Sequence, residues 1–437
     1  MSDEHPPPAP GRTGPALLTD RYELTMLAAA LADGTAMRDC VFEVFARRLP
    51  HGRRYGVLAG TGRLLEELAA FRFGAAEIDS LRAQGLDDER LLDWLAGFSF
   101  SGDVDGYAEG EVFFPGSPVL TVRAPFAEGV LLETLALSVL NHDSAIASAA
   151  ARMVGAACGR PCIEMGSRRT HEQAAVAAAR AAYLVGFSAS SNLAAGQRYG
   201  VPTTGTSAHA FTLLHDDEAS AFRAQVAALG VGTTLLVDTY DVTQGIRTAV
   251  EVAGPELGAI RLDSGDLPSL ATAARAQLDS LGATGTRVIV TSDLDEYAIA
   301  ALQAAPVDGY GVGTSLVTGS GAPTAGMVYK LVERDGVPVA KNSEGKRSVG
   351  GRKQAVRRHD PAGTVTAEVV SSAPIEPRDG DRSLVVPLVR GGRPVLPTDP
   401  ARALEAAREH HRRSREALPA EASALSRGEA VVETLGA

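Results

Sequence analysis

A chain of 437 residues is too long for one small module and predicts two or three domains, and its 45% hydrophobic and 22% charged composition supplies material for a large core. A formal charge of −11 argues against a nucleic-acid binder, because phosphate would repel it overall. The most apolar stretch, Val130 to Leu140, carries Glu133 and is too short for a bilayer, and three cysteines (Cys40, Cys158, Cys162) fit a reduced cytoplasmic protein rather than a disulfide or four-cysteine zinc scaffold.

Residues 1–15 hold five prolines and predict a disordered tail. Thr19 or Asp20 can cap a helix running to about Ala32, with Tyr22, Leu24, Leu27 and Leu31 on its apolar side. Residues 40–46 read as a strand, 57–70 and 88–97 as amphipathic helices, and 103–124 as short strands broken by Gly and Pro. Together, residues 16–125 predict an α+β domain. Beyond it, over 126–324, apolar runs alternate with polar turns and alanine-rich helical stretches. The runs are Pro161–Met165, Tyr183–Phe187, Val201–Thr204, Thr234–Val237, Ala259–Leu262, Val288–Val290 and Val307–Val312. That spacing suits βα units and predicts a barrel-like parallel sheet, with a doubly wound open sheet as the alternative. Strands return at Met327–Val332 and Val337–Ala340, and residues 325–395 are expected to complete the first domain. Residues 396–437 would form a C-terminal helix, starting at Thr398, and a tail.

The residues at the ends of the apolar runs carry the chemistry: Arg168, Ser191, His209, Asp238, Asp263, Asp293, and Gly313 with Thr314. In a parallel barrel such positions converge on the C-terminal mouth, although single polar residues there are often helix caps. RLDSGDL (261–267) sets two carboxylates on a tight turn, where Asp263 can meet ribose hydroxyls or hydrated Mg²⁺ while Asp266 suits a cap. The lone His209 of GTSAHAF (205–211) would be oriented through one ring nitrogen near Asp238, leaving the other nucleophilic. GVGTSLVTGSG (311–321) offers glycines and hydroxyls to a phosphate but is not a Walker loop. Cys158 and Cys162 read as buried small hydrophobes. All four lysines, Lys330, Lys341, Lys346 and Lys353, fall in the basic segment 330–358, which holds nine Lys or Arg against three acids. Charge runs are usually solvated surface, yet lysines clustered in an arginine-writing sequence point to a polyphosphate ligand.

The stretches TDRYELTM (19–26), EMGSRR (164–169), SSNLAAG (190–196), GTSAHAF, LLVDTYD (235–241), RLDSGDL and GVGTSLVTGSGAPT (311–324), with MVYKLVE (327–333), together resemble the nicotinate phosphoribosyltransferase family, in the family's order, from about Leu17 to Lys353. The resemblance implies a type II phosphoribosyltransferase-like α/β fold, an irregular parallel β/α barrel with a discontinuous α+β N-terminal domain. It implies a homodimer with active sites at the subunit interface. It also implies formation of nicotinate mononucleotide and pyrophosphate from nicotinate and phosphoribosyl pyrophosphate (PRPP), a ligase-type reaction coupled to ATP hydrolysis through a phosphohistidine. Mg²⁺ would be held mainly by the ligand phosphates.

Residue by residue, the resemblance makes His209 the phosphorylated group and Asp238 its partner. Arg168 and Tyr22 would frame the pyridine, Tyr22 from the other subunit. Arg261 and Asp263 would contact phosphate and ribose; Asp293, Gly313 and Thr314 would line the 5′-phosphate pocket. Lys341, Lys346 and Lys353 would meet pyrophosphate or ATP. The turn Ser190–Asn192, with Ser191 at its centre, offers hydrogen-bond donors rather than an acid, which favours nicotinate over nicotinamide. Nicotinamide or quinolinate phosphoribosyltransferase, or a non-catalytic PRPP sensor on the same fold, are the alternatives.

Overall fold

The structure, a computed structural model, describes residues 14–341, 349–395 and 399–436. Lys346 and Thr398 lie outside the described residues. The chain divides into two compact units, Met1–Ala145 with Thr324–Ala437, and Ile146–Pro323.

The first unit is built on a seven-stranded antiparallel sheet drawn from both ends of the chain, in the order Val337–Pro338, Met327–Arg334, Asp39–Ala46, Leu120–Pro125, Asp103–Tyr107, Val385–Arg390, Arg393–Pro394. The central strand Asp39–Ala46 is buried along most of its length. Its Phe42 stacks on Tyr329 of the neighbouring strand, ring centroids 5.1 Å apart, inside a core that includes Leu24, Leu27, Leu64, Leu68, Val122 and Leu135. The helix expected from Thr19 runs Arg21–Asp33 and stops at Gly34, whose φ of 82° suits only a residue without Cβ strain. The segment read as a helix over 57–70 starts with a short strand, Gly56–Val57, before the helix Thr61–Ala70.

The boundary expected at 125/126 falls instead at 145/146. Val130, Leu131, Leu132, Leu135, Ala136, Val139 and Leu140 pack into the first unit's core, and this burial outweighs the change in sequence pattern near Glu128. The segment from Thr324 onward, C-terminal helix included, belongs to this unit, as the expected fold-back onto the first domain requires. Its helix Pro400–Glu416 is capped by Asp399, which accepts from the Arg402 N–H at 2.9 Å, and buries Leu404, Ala407, His411 and Ser414. Gly110, at φ 93°, lets that helix approach: a Cβ there would lie 2.3 Å from the Ala407 carbonyl oxygen.

His411 on this helix gives a pH prediction. Its Nδ1–H donates to the Gly110 carbonyl at 3.0 Å, and Nε2 is buried without a hydrogen-bond partner among the described residues. Burial pushes its pKa down to about 4. The folded value lies below the unfolded one of about 6.5, so the unfolded chain binds more protons between these values. His411 therefore contributes stability that is full above about pH 6.5 and is lost as pH falls toward 4, up to about 3 kcal/mol. Melting temperatures across pH 7 to 4 should fall more steeply in the native chain than in His411→Gln. Parallel profiles would contradict this.

The second unit carries six parallel strands: β1 (Cys162–Glu164), β2 (Ala189–Ser190), β3 (Thr234–Leu236), β4 (Ala259–Leu262), β5 (Arg287–Val290) and β6 (Gly309–Val312). Their order is β2-β1-β6-β5-β4-β3, a parallel half-barrel with helices between the strands. Of the seven expected runs, two are not strands as read. Tyr183–Phe187 is the buried end of the helix Glu172–Leu184 and its following turn, and the strand comes after it at Ala189–Ser190. Val201–Thr204 makes only an isolated bridge, Thr203 to Ser190. Cys162 is buried, which lifts its thiol to about 12, whereas Cys158 is exposed at φ 48° where a helix ends.

Candidate active site

Because every pairing in the six-stranded sheet is parallel, the segments following the strands leave from one edge of it. Asp238 follows β3, Arg261 and Asp263 bracket the end of β4, and Thr291 follows β5. The main chain ties these loops together, with the Thr291 N–H donating to the Leu262 carbonyl at 2.9 Å and the Val237 N–H to the Arg261 carbonyl at 3.3 Å. Gly245 allows the helix Val242–Ala253 to close on β3's end, since a Cβ there would lie 2.4 Å from the Val237 carbonyl oxygen.

His209 opens the helix His209–Leu213 and points Nε2 at two carboxylates, 4.0 Å from Asp238 Oδ1 and 3.9 Å from Asp263 Oδ2. The hydrogen bond that orients the ring is to neither of them: Nδ1 lies 3.1 Å from Thr239 Oγ1. Asp238 is almost fully buried. Its Oδ2 accepts from the Asp263 N–H at 2.7 Å and from Ser264 Oγ at 3.2 Å, while Oδ1, the atom facing the histidine, has no hydrogen-bond partner among the described residues. Asp263 is 39% exposed and accepts from Thr291 Oγ1. Arg261 stands beside it, Nε 4.0 Å from Asp263 Oδ1 and Nη1 donating to Thr206 Oγ1 at 2.5 Å. Burial pulls the guanidinium's pKa down, the charges of Asp263 and Asp238 pull it up, and Arg168 adds a like charge. The group stays cationic at neutral pH.

Arg168 and Asp293 are exposed on this same edge. Asp293 follows Ser292, whose φ of 145° is a strained conformation of the kind found at functional loops. Gly311 on β6 is held by close neighbours, a Cβ there lying 2.4 Å from Thr291 Cγ2. Gly313 and Thr314 then open the short helix Thr314–Val317. In the turn after β2, two of the three expected donors are engaged internally. Ser190 Oγ–H donates to Glu164 Oε2 at 2.5 Å, and the Asn192 side-chain amide donates to Ser167 Oγ at 3.0 Å while its oxygen caps Ala195 N–H at 2.9 Å. Ser191 is the exposed one. Asp266 makes no side-chain cap to the main chain of its helix and accepts from Ser269 Oγ at 2.7 Å instead.

The remaining candidates belong to the first unit. Tyr22 is 44% exposed, with burial and the neighbouring Glu133 carboxylate pushing its hydroxyl pKa up. Lys341 is exposed. Lys353 is not a free cation: its ammonium lies 2.5 Å from Glu43 Oε2 and donates to the Gly351 carbonyl at 3.1 Å, both partners being buried. The basic segment is therefore not one charged face, because the strand Gln354–His359 also turns Arg357 fully inward.

Thr239, Thr291 and Glu164 are absent from the residues nominated above. Each lies at or just beyond a strand end, the same position as Asp238 and Asp293, but a threonine there reads as a turn residue and Glu164 sits inside an apolar run.

Residues 17–141 match the family described as nicotinate phosphoribosyltransferase (NAPRTase) N-terminal domain. The chain is 63% identical to a nicotinate phosphoribosyltransferase of Mycobacterium tuberculosis over 98% of both sequences. The chain belongs to the nicotinate phosphoribosyltransferase family. A Bacillus subtilis family member is 40% identical over 78% of this chain and 73% of its own length. The crystal structure of human nicotinic acid phosphoribosyltransferase superposes with a TM-score of 0.80 at 26% identity, covering 95% of this chain and 98% of that one. A Pyrococcus furiosus structure described as nicotinate-nucleotide pyrophosphorylase gives a TM-score of 0.76 at 25% identity, with 92% and 96% covered. The fold is thus that of the type II phosphoribosyltransferases. Among the described residues no helix is long and apolar enough to cross a membrane.

Proposed function

We propose that this chain makes nicotinate mononucleotide and pyrophosphate from nicotinate and PRPP in NAD biosynthesis, with ATP hydrolysis coupled through phosphorylation of His209. The observation that carries the proposal is the meeting of His209, Asp238, Asp263 and Arg261 at one edge of a parallel sheet in a member of this family.

The pyridine nitrogen attacks C1 of the ribose with its own lone pair as the C1–O bond to pyrophosphate breaks. C1 gains positive charge on the way, so the reaction needs a carboxylate near the sugar and cations near the leaving group more than it needs a base. Asp263 supplies the first and Arg261 is placed to meet an anionic oxygen. Arg168 and the exposed Ser191 would receive the nicotinate carboxylate, with Tyr22 of a second subunit covering the ring in a homodimer. Asp293, Gly313 and Thr314 would line the 5′-phosphate pocket, the donors to phosphate being the N–H groups and hydroxyl of Gly313 and Thr314.

In the coupled step, His209 Nε2 attacks the γ-phosphorus of ATP, the bond to the bridging oxygen breaks and ADP leaves; water later releases phosphate. Thr239 holds the opposite nitrogen, and the unpaired Asp238 Oδ1 would stabilise positive charge on the ring. Mg²⁺ would arrive on the phosphates and screen their charge. The solvent-facing carboxylates of Asp263 and Asp293 fit a cation that keeps most of its water.

The test is mononucleotide formation from PRPP with nicotinate, nicotinamide or quinolinate, each with and without ATP. Nicotinate turnover raised by ATP, with His209→Ala keeping a basal rate but losing the stimulation, is the expected result. Turnover of another pyridine would relocate the error to the Arg168–Ser191 region. Tight PRPP binding without turnover would favour a sensor.

A further inference from the structure

Glu164 poses a physical problem that the proposed chemistry leaves unanswered. It ends β1 with its side chain fully buried, and no cation pairs with it among the described residues. Burial pushes its pKa up, against the hydrogen bonds from Ser190 and Gly166 that favour the carboxylate. An acid buried without an ion-pair partner costs stability. It also stands next to loops proposed to receive an anionic substrate, so simple electrostatics would select against it.

Its hydrogen bonds show what it does instead. Oε1 accepts from the Gly166 N–H, at the start of the loop that carries Arg168. Oε2 accepts from Ser190 Oγ–H at 2.5 Å, and Ser190 Oγ in turn accepts from the Asn192 N–H at 2.8 Å. Glu164's own carbonyl accepts from the Ser191 N–H at 2.8 Å. Asn192 closes the circuit by donating to Ser167 Oγ at 3.0 Å. Gly166 is wedged as well, since a Cβ there would lie 2.2 Å from Val317 Cγ1. One residue thus fastens the loop bearing Arg168 to the turn bearing Ser191, and both of its oxygens face donors of the protein.

We infer that Glu164 is a positioning residue for pyridine binding, fixing the Arg168 loop and the Ser191 turn at the spacing that receives the nicotinate carboxylate; this rests on the nicotinate reading above. The side chain touches no reacting atom in this account. Glutamine keeps its volume but presents an N–H₂ where one oxygen accepted, so one of the two loops loses its anchor.

The experiment is steady-state kinetics on the full chain, varying nicotinate and PRPP separately, for the native protein, Glu164→Gln, Ser190→Ala and Ser190→Thr. Glu164→Gln is expected to raise the KM for nicotinate by roughly tenfold, the effect of one charge-assisted hydrogen bond lost with its donor unpaired, while the KM for PRPP stays within about twofold. Ser190→Ala should move nicotinate KM in the same direction by less, and Ser190→Thr, which keeps the hydroxyl, should restore it. If Glu164→Gln does not fold, the two Ser190 variants decide the matter. An unmoved nicotinate KM in the soluble variants, or nicotinate and PRPP values rising together with a lowered melting temperature, would overturn the inference. A native protein that does not turn over nicotinate would instead remove the reading beneath it.

Discussion

Asp263→Asn is expected to lower kcat/KM for mononucleotide synthesis by about 10²–10³-fold, the loss of roughly 3–4 kcal/mol of transition-state stabilisation. The substitution is isosteric and removes one charge. That charge sits where the site is otherwise arranged to use it, with Arg261 Nε 4.0 Å from Oδ1, the Thr291 hydroxyl donating to that same oxygen, and His209 Nε2 3.9 Å from Oδ2. Little stability should be lost, because the carboxylate is 39% exposed and its one hydrogen bond can be kept by the amide oxygen. The fall should therefore appear in kcat as well as in kcat/KM, since a charge matched to a cation-like C1 acts mainly in the transition state. Thr291→Val, which leaves the charge but frees its orientation, should lose about tenfold in the same direction. A rate for Asp263→Asn within threefold of the native enzyme, with unchanged melting temperature, would mean that this carboxylate is not the one near the sugar.

The positions of Asp238 and Asp263 were legible because a parallel βα alternation leaves a periodic trace, and periodicity implies a common edge; Arg261 came only with the family resemblance. What that trace cannot do is separate short apolar runs by type. Tyr183–Phe187 is as hydrophobic as a strand because Leu184, Val185 and Phe187 are buried at a helix end, and burial is all that the pattern reports. Charge clustering in sequence failed for a related reason. Lys353 and Arg357 are four residues apart, but strand geometry and two buried acids take both of them inward, so a run that looks like a cationic face dissolves into separate ion pairs. His209 shows the limit at the site itself. The sequence supplied the histidine and both carboxylates, yet its ring is held by Thr239, and only coordinates distinguish a hydrogen bond at 3.1 Å from an approach at 4.0 Å. Glu164 carries no sequence signal of its role, because its partners Gly166 and Ser190 are a main-chain N–H and a hydroxyl on another loop that only the fold brings to it.

The largest stability effect is expected in the first unit, at Arg357. Its side chain is fully buried, donating to Glu368 Oε2 at 2.6 Å, to the Val112 carbonyl at 2.9 Å and to Glu111 Oε1 at 3.4 Å, with its guanidinium carbon 5.1 Å from the centre of the Phe114 ring. Glu368 also accepts from Tyr107 and Ser117, and Glu111 from Arg382, His410 and Ser414. Burial works against Glu111's charge, but the hydrogen bonds from His410 and Arg382 and the charge of Arg357 hold its carboxyl well below the usual range. Arg357→Met would leave Glu368 charged, fully buried and supported by two hydroxyls alone. Breaking a buried pair from one side costs about 3–5 kcal/mol, so this variant should melt roughly 5–15 °C below the native chain. The cost belongs to the abandoned carboxylate rather than to the lost bond, which gives a sharper expectation. Adding Glu368→Gln to Arg357→Met removes the unpaired charge while keeping an acceptor for Tyr107 and Ser117, and the double variant should recover part of the lost stability. A double variant less stable than Arg357→Met alone would show that the net attraction of the pair, not the penalty of an orphaned charge, dominates there.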